Sequence, residues 1–196
     1  MNEYHPETYG HRIADDYDDL WGAVDPDMIP LLSDMDRAGR VLELGVGTGR
    51  VALPLAATGL EVYGMDVSEA MVARLRAKPG GSDLPVVIGD FADVAVDGTF
   101  SLIFASFNTL FLMLTQEDQV RCIRNVAQHL TEDGVFVIEA FVPNPTRFVQ
   151  GQSVRTRFAE VDRVSLDLSM HDPVSQRVVS QDMLGGRSPF RVFGSW

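Results

Sequence analysis

Apolar residues along the chain fall in short runs separated by stretches of helical spacing. Residues 40–44, 61–65, 85–88, 100–106 and 134–142 read as five strands. The run at 100–106 is almost wholly apolar, which suits the centre of a parallel sheet buried on both faces. Between the strands lie helical patterns. One runs from Gly49 to about Thr58 and is ended by Gly59. A second is capped by Ser68, carries Glu69 at its positive end and continues through Ala70, Met71, Ala73 and Leu75 to Lys78. A third starts at Thr115 with an acidic first turn and runs to about Leu130. Strands alternating with helices predict an α/β fold, a doubly wound, mainly parallel Rossmann-like sheet with flanking helices.

The two ends depart from this rhythm. Ile13, Tyr17 and Leu20 recur at helical spacing, so residues 9–21 predict an amphipathic helix. Residues 161–170 alternate imperfectly, with Leu166, Leu168 and Met170 on one face. A turn at 171–175 and a returning strand at 176–183 complete an antiparallel hairpin. The expected organisation is a single domain over 1–196: an N-terminal helical lid at 1–39, the Rossmann-like core at 40–142, and a hairpin and substrate region at 150–196.

Composition narrows the function classes. The 196 residues carry a formal net charge of −12, which argues against a nucleic-acid partner. No apolar run is long enough to span a membrane, and the first residues lack a signal-peptide pattern. With a single cysteine, Cys122, a cytoplasmic location is expected. The acids around Asp15, Asp16, Asp18 and Asp19 are read as a solvated helix face. Their spacing is not that of a calcium loop, and no metal is expected.

The candidate chemistry sits after the first strand. Gly45, Gly47 and Gly49 permit a tight turn and a close approach of backbone N–H groups to a ligand. Arg50 follows them, and the spacing departs from the G-x-G-x-x-G of dinucleotide-binding loops. Glu43 precedes the loop. Asp66 ends the second strand, about 20 residues on, where a carboxylate can accept both ribose hydroxyls of an adenine nucleoside.

The loop Val-Leu-Glu-Leu-Gly-Val-Gly-Thr-Gly-Arg at 41–50 strongly resembles that of class I S-adenosylmethionine-dependent methyltransferases. So do Val-Tyr-Gly-Met-Asp-Val-Ser-Glu-Ala-Met-Val at 62–72 and Gly-Asp-Phe-Ala-Asp at 89–93. The resemblance covers about residues 40–142. It implies S-adenosylmethionine as cofactor, S-adenosylhomocysteine as product, and methylation of a small molecule at nitrogen or oxygen. It also implies that Glu43, Gly45, Gly47, Thr48 and Gly49 meet the methionine portion and that Asp66 holds the ribose. Val67, Ser68 and Met71 on one side, and Asp90 and Phe91 on the other, would surround the adenine. Ala105 and Ser106 would complete the cofactor site, with Asn108 and Thr109 facing the substrate. The N-terminal helix resembles one that folds over the cofactor. Tyr17 would then bond the methionyl group and Arg12 its carboxylate.

Methyl transfer needs in-line positioning and exclusion of water, plus a base if the acceptor is a hydroxyl or an ammonium. His11 in the lid and His171 at the hairpin turn are the candidate bases. His129, near a helix end, is read as a favourable charge on the dipole. Related chains continue past such a hairpin with a further helix and two strands. The fifth strand is therefore expected at or near an exposed edge carrying Phe136, Ile138 and Phe141. The hairpin or a second copy of the chain, making a homodimer, would cover it. A shortened relative without activity, a non-catalytic cofactor-binding partner protein and an NAD-dependent oxidoreductase are the alternative readings.

Overall fold

A computed structural model of the chain describes residues 10–11, 13–35, 39–142, 144–160 and 163–186. Tyr9, Arg12 and residues 187–196 lie outside them. The chain divides between Phe141 and Val142 into two compact units.

The first unit contains helices α1 (Tyr17–Trp21), α2 (Met28–Met35), α3 (Ala52–Ala56), α4 (Glu69–Arg76) and α5 (Gln116–His129). Its strands are β1 (Arg40–Leu44), β2 (Glu61–Asp66), β3 (Val86–Ile88), β4 (Phe100–Ala105) and β5 (Leu130–Ile138). They form one parallel sheet in the order β3-β2-β1-β4-β5. The order reverses between β1 and β4, so their carboxyl ends flank the crevice where open α/β sheets take ligands.

Alternate residues of β1 serve opposite faces of the sheet. Leu42 and Leu44 join Met65, Ile103, Cys122 and Val126 in one apolar cluster. Val41 joins Leu32, Leu55, Val62, Leu75, Leu102 and Phe104 in the other. Every residue of β4 is buried, as its apolar run predicts. In the register, Glu43 lies opposite Gly64 on β2 and Phe104 on β4.

Caps behave as the sequence suggests. The Ser68 hydroxyl accepts the Met71 N–H at the start of α4, and the Thr115 hydroxyl accepts the Asp118 N–H at the start of α5. Other elements differ from expectation. Helix α3 begins only at Ala52, because the three glycines before it take φ of +70°, +53° and +75°, a backbone that no α-helix contains. Strand β5 starts directly after α5, and Phe100 pairs with Leu130 while Leu102 pairs with Val135. Residues 131–134 bulge out of the ladder between those pairs, so a stretch that reads as a loop falls inside a strand. The strand also stops at Ile138, where the Glu139 backbone turns to bond Ala105 and Asn108. It forms one edge of the sheet, with Ile138 exposed. The N-terminal helix is shorter than expected. A turn at residues 14–16 breaks it, consistent with the low helix propensity of aspartate.

The second unit is a three-stranded antiparallel sheet of β6 (Gln152–Ala159), β7 (Arg163–Asp172) and β8 (Arg177–Gly186). Strands β7 and β8 are visible in the sequence but β6 is not, because its alternation is masked by arginines and a register irregularity at Thr156/Phe158. Leu166, Leu168 and Met170 do share a face, opposite Thr156, Val154 and Gln152. His171 is not in the turn. It lies in β7 opposite Val178, with its ring stacked on Phe148 at 4.9 Å. No described helix is long and apolar enough to cross a membrane.

Candidate functional site

The polar groups of the first unit gather at the carboxyl ends of β2, β1 and β4. Gly45 and Val46 both donate to the Met65 carbonyl, at 2.8 and 2.9 Å, which turns the chain sharply out of β1. A Cβ on Gly45 would lie 2.5 Å from the Thr109 methyl, so only glycine fits this turn. Asp66, at the tip of β2, accepts the Gly47 N–H on Oδ2 and the Ser68 N–H on Oδ1, each at 2.8 Å. Burial raises its pKa against those donors.

Glu43 is the most perturbed acid of the site. It is 2% exposed, and its Oε1 accepts the Ser106 hydroxyl at 3.0 Å. Its Oε2 has no well-formed hydrogen bond, although the nearby Ala52 amide and Arg50 favour its charge. Burial outweighs them and pushes its pKa up to about 8. Thr48, fully buried, donates to Asp18 at 2.7 Å. Tyr17 stands beside Arg50; burial raises its pKa, and Arg50 works in the opposite direction.

The structure thus brings together Tyr17, Glu43, the three glycines, Thr48, Asp66, Ser68 and Ser106. Met71 is buried beneath Gly10, outside both apolar clusters. Val67 follows Asp66 and is half-buried. Asp90 accepts the Ala92 N–H at 2.8 Å, while Phe91 and Ala105 belong to the apolar cluster under the sheet.

Asn108 and Thr109 have their side chains engaged by the protein itself. Asn108 Oδ1 accepts the Phe141 N–H at 2.6 Å, and the Thr109 hydroxyl donates to the Ser106 carbonyl at 2.7 Å. His11 is exposed. His171 belongs to the second unit. Both nitrogens of His129 meet carbonyls, those of Asn125 and Val96, which makes it a structural tie. Among the described residues no acid, histidine and cysteine cluster is placed to hold a metal ion.

Several groups at this edge escape the sequence reading. Arg50 donates to the Ala23 carbonyl at 3.1 Å and lies over the Phe107 ring at 4.8 Å. Phe107 packs on Trp21 at 5.3 Å. It and Asn108 take φ of +51° and +66°, a rare conformation for non-glycine residues that often marks functional turns. Glu139, exposed at the end of β5, accepts the Phe107 N–H at 2.6 Å. The acid run around Asp18 and the charged residue closing the glycine loop were the available signals. Neither says which distant cation or ring it meets.

A glycine turn, a carboxylate at the tip of the next strand and a topological switch point between them define a Rossmann-like site for an adenine nucleoside. The family described as "Methyltransferase domain" matches residues 41–134. The CcbJ methyltransferase of Streptomyces caelestis superposes with a TM-score of 0.84 at 38% identity, covering 93% of this chain and 77% of that one. Among curated relatives, the cypemycin N-terminal methyltransferase of a Streptomyces species is 29% identical over 154 residues, 78% of this chain and 63% of its own length. The dTDP-4-amino-2,3,4,6-tetradeoxy-D-glucose N,N-dimethyltransferase of Saccharopolyspora spinosa is 31% identical over 153 residues, 74% of this chain and 60% of its own. The chain therefore spans about three fifths of the length of these curated relatives. It belongs to the class I S-adenosylmethionine-dependent methyltransferase family.

Proposed function

We propose that the chain binds S-adenosylmethionine at the carboxyl edge of β2, β1 and β4 and methylates an amine nitrogen of a small molecule. The observation that carries the cofactor reading is the Asp66 carboxylate, locked between the Gly47 and Ser68 amides and one strand from the glycine turn. Each of its oxygens keeps a lone pair for a ribose hydroxyl. Glu43 Oε2, buried and without a well-formed hydrogen bond, is a second fit, an acceptor that suits the donor and positive charge of an amino acid's ammonium. Gly45 and Gly47 leave the backbone bare where the methionyl chain would pass.

When bound, S-adenosylmethionine supplies an electrophilic methyl group on a sulfonium. The residues here bind, orient and exclude water. Asp66 and Glu43 fix the two ends of the cofactor, while Tyr17, Trp21 and Phe107 screen the site. The amine acceptor is supported by the two curated relatives, one named for the N-terminus of cypemycin and the other as an N,N-dimethyltransferase of an amino sugar nucleotide. The exposed Glu139 carboxylate, fixed by the Phe107 amide beside the end of β4, suits an ammonium approaching from that side.

Titration calorimetry with S-adenosylhomocysteine, S-adenosylmethionine and NAD tests the cofactor, with binding expected for the first two alone. A panel of primary amines and alcohols, followed by release of S-adenosylhomocysteine, tests the acceptor. Binding of NAD alone overturns the cofactor reading, and turnover with alcohols alone overturns the amine.

A further inference from the structure

The described residues between Gly10 and Ala23 pass the carboxyl ends of β2, β1 and β4. At one end, a Cβ on Gly10 would lie 2.5 Å from Ser68 Cβ, just past the tip of β2. At the other, Trp21 packs on Phe107 past the tip of β4, and Arg50 holds the Ala23 carbonyl. Asp66 and Glu43 lie along the edge between them. Helix α1 within this segment has five residues, no side-chain N-cap and no buried residue. A helix that short does not stand by its own hydrogen bonds. Besides the packing of Trp21 on Phe107, polar contacts fasten it.

Those contacts form a closed ring. Asp18 Oδ1 accepts the Thr48 hydroxyl at 2.7 Å, Asp18 Oδ2 meets Lys78 Nζ at 2.7 Å, and Lys78 Nζ also donates to the Thr48 carbonyl at 2.8 Å. The ring joins the crossing segment, the glycine loop and the chain just past α4. Burial works to raise the Asp18 pKa, but the hydrogen bonds from Lys78 and Thr48 outweigh it and hold it below the usual value. Arg74, one helical turn before Lys78, pairs with Asp15. The Lys78 and Asp18 side chains are 30% and 40% exposed, so counterions reach them.

We infer that Asp18, Thr48 and Lys78 are an electrostatic latch, which holds residues 13–23 across the proposed cofactor site and sets the rate at which spent cofactor leaves. This rests on the cofactor reading above. Asp18 and Lys78 are positioning residues: they act on the ligand through the segment and the loop they tie together. Lid opening and product release limit turnover in many enzymes, so such a latch acts on the step between catalytic cycles.

The test is the release of S-adenosylhomocysteine from the wild-type chain, Asp18→Asn, Lys78→Met and the double variant, measured by stopped flow from 50 to 500 mM NaCl. A partly exposed, charge-assisted contact predicts release about three- to thirtyfold faster in each single variant at low salt. Wild-type release should quicken with salt more steeply than release from the variants, which keep, of the ion pairs named above, only the exposed Arg74–Asp15 pair. The double variant should be no faster than the singles, and ligand-free melting should be little changed. Variants releasing at the wild-type rate, or a double variant whose effects multiply, overturn the latch alone. A wild-type chain that binds no S-adenosylhomocysteine overturns the cofactor reading, and the latch with it.

Discussion

Replacing Glu43 by glutamine should make the ligand-free protein more stable at neutral pH and flatten the dependence of its stability on pH. The carboxyl group titrates near 4.5 when unfolded and near 8 in the native state. Between those values the native state holds a proton that the unfolded chain has released. Stability is therefore fully present below pH 4.5 and falls as pH rises towards 8, by about 1.4 kcal/mol per unit. From pH 5.5 to 7.5 the loss is about 2–3 kcal/mol, or about 5–10 °C in Tm for a chain of this size. Glutamine keeps the shape and can still accept the Ser106 hydroxyl, but it has nothing to ionise. Thermal melts followed by circular dichroism at pH 5.5, 6.5 and 7.5, at constant ionic strength, give both slopes. Other titrating groups contribute to both proteins alike, so the difference between the slopes isolates Glu43. Saturating S-adenosylmethionine should also flatten the wild-type slope, because a cation beside Glu43 favours its ionised form. Equal slopes in the two ligand-free proteins would refute the assignment of a buried, protonated carboxyl to this position.

Three further outcomes follow from the geometry. Asp66→Asn, which weakens the acceptor held by Gly47 and Ser68, should raise the Kd for S-adenosylhomocysteine about tenfold to a hundredfold by calorimetry. Gly45→Ala combines a φ of +70° with a contact at 2.5 Å to the Thr109 methyl, and should cost about 2–4 kcal/mol in urea unfolding. Adding Thr109→Ser, which removes that methyl, should recover part of the loss. The Cys122 thiol is fully buried and pushed up to about 11, chiefly by burial and then by Asp90. It should resist an aromatic disulfide reagent at pH 8 until urea unfolds the chain.

The parts of the fold legible in the sequence are those written in local patterns. All five parallel strands are visible, because apolar runs bounded by glycine, aspartate and proline are local signals. So are the caps at Ser68 and Thr115, whose hydroxyls act within three residues. The bulge at 131–134 is not, since it depends on how β5 meets β4 rather than on its own residues. Strand β6 is hidden by Arg155 and Arg157, exposed side chains that a surface strand tolerates. At the site, the glycines, Glu43 and Asp66 are legible because their spacing along the chain is fixed by one strand–loop–helix–strand unit. The triple contact of Asp18, Thr48 and Lys78 joins residues thirty positions apart, and no periodicity encodes it. Nor does the sequence say that Asn108 spends its side chain on the Phe141 amide.

The register that sets Glu43 between Gly64 and Phe104 has a consequence for quality control of the newly made chain. Sliding β1 by one residue would exchange its two faces, sending Glu43 towards the cluster built for Leu42 and Leu44 and removing both leucines from it. The same slip would move the glycine turn away from the Met65 carbonyl that anchors it. Mispairing therefore forfeits core and site together, and the hydrophobic interior acts as the proofreader of the acids at its rim. Damage to this strand should show in cells as missing protein rather than as a stable chain with weakened cofactor binding.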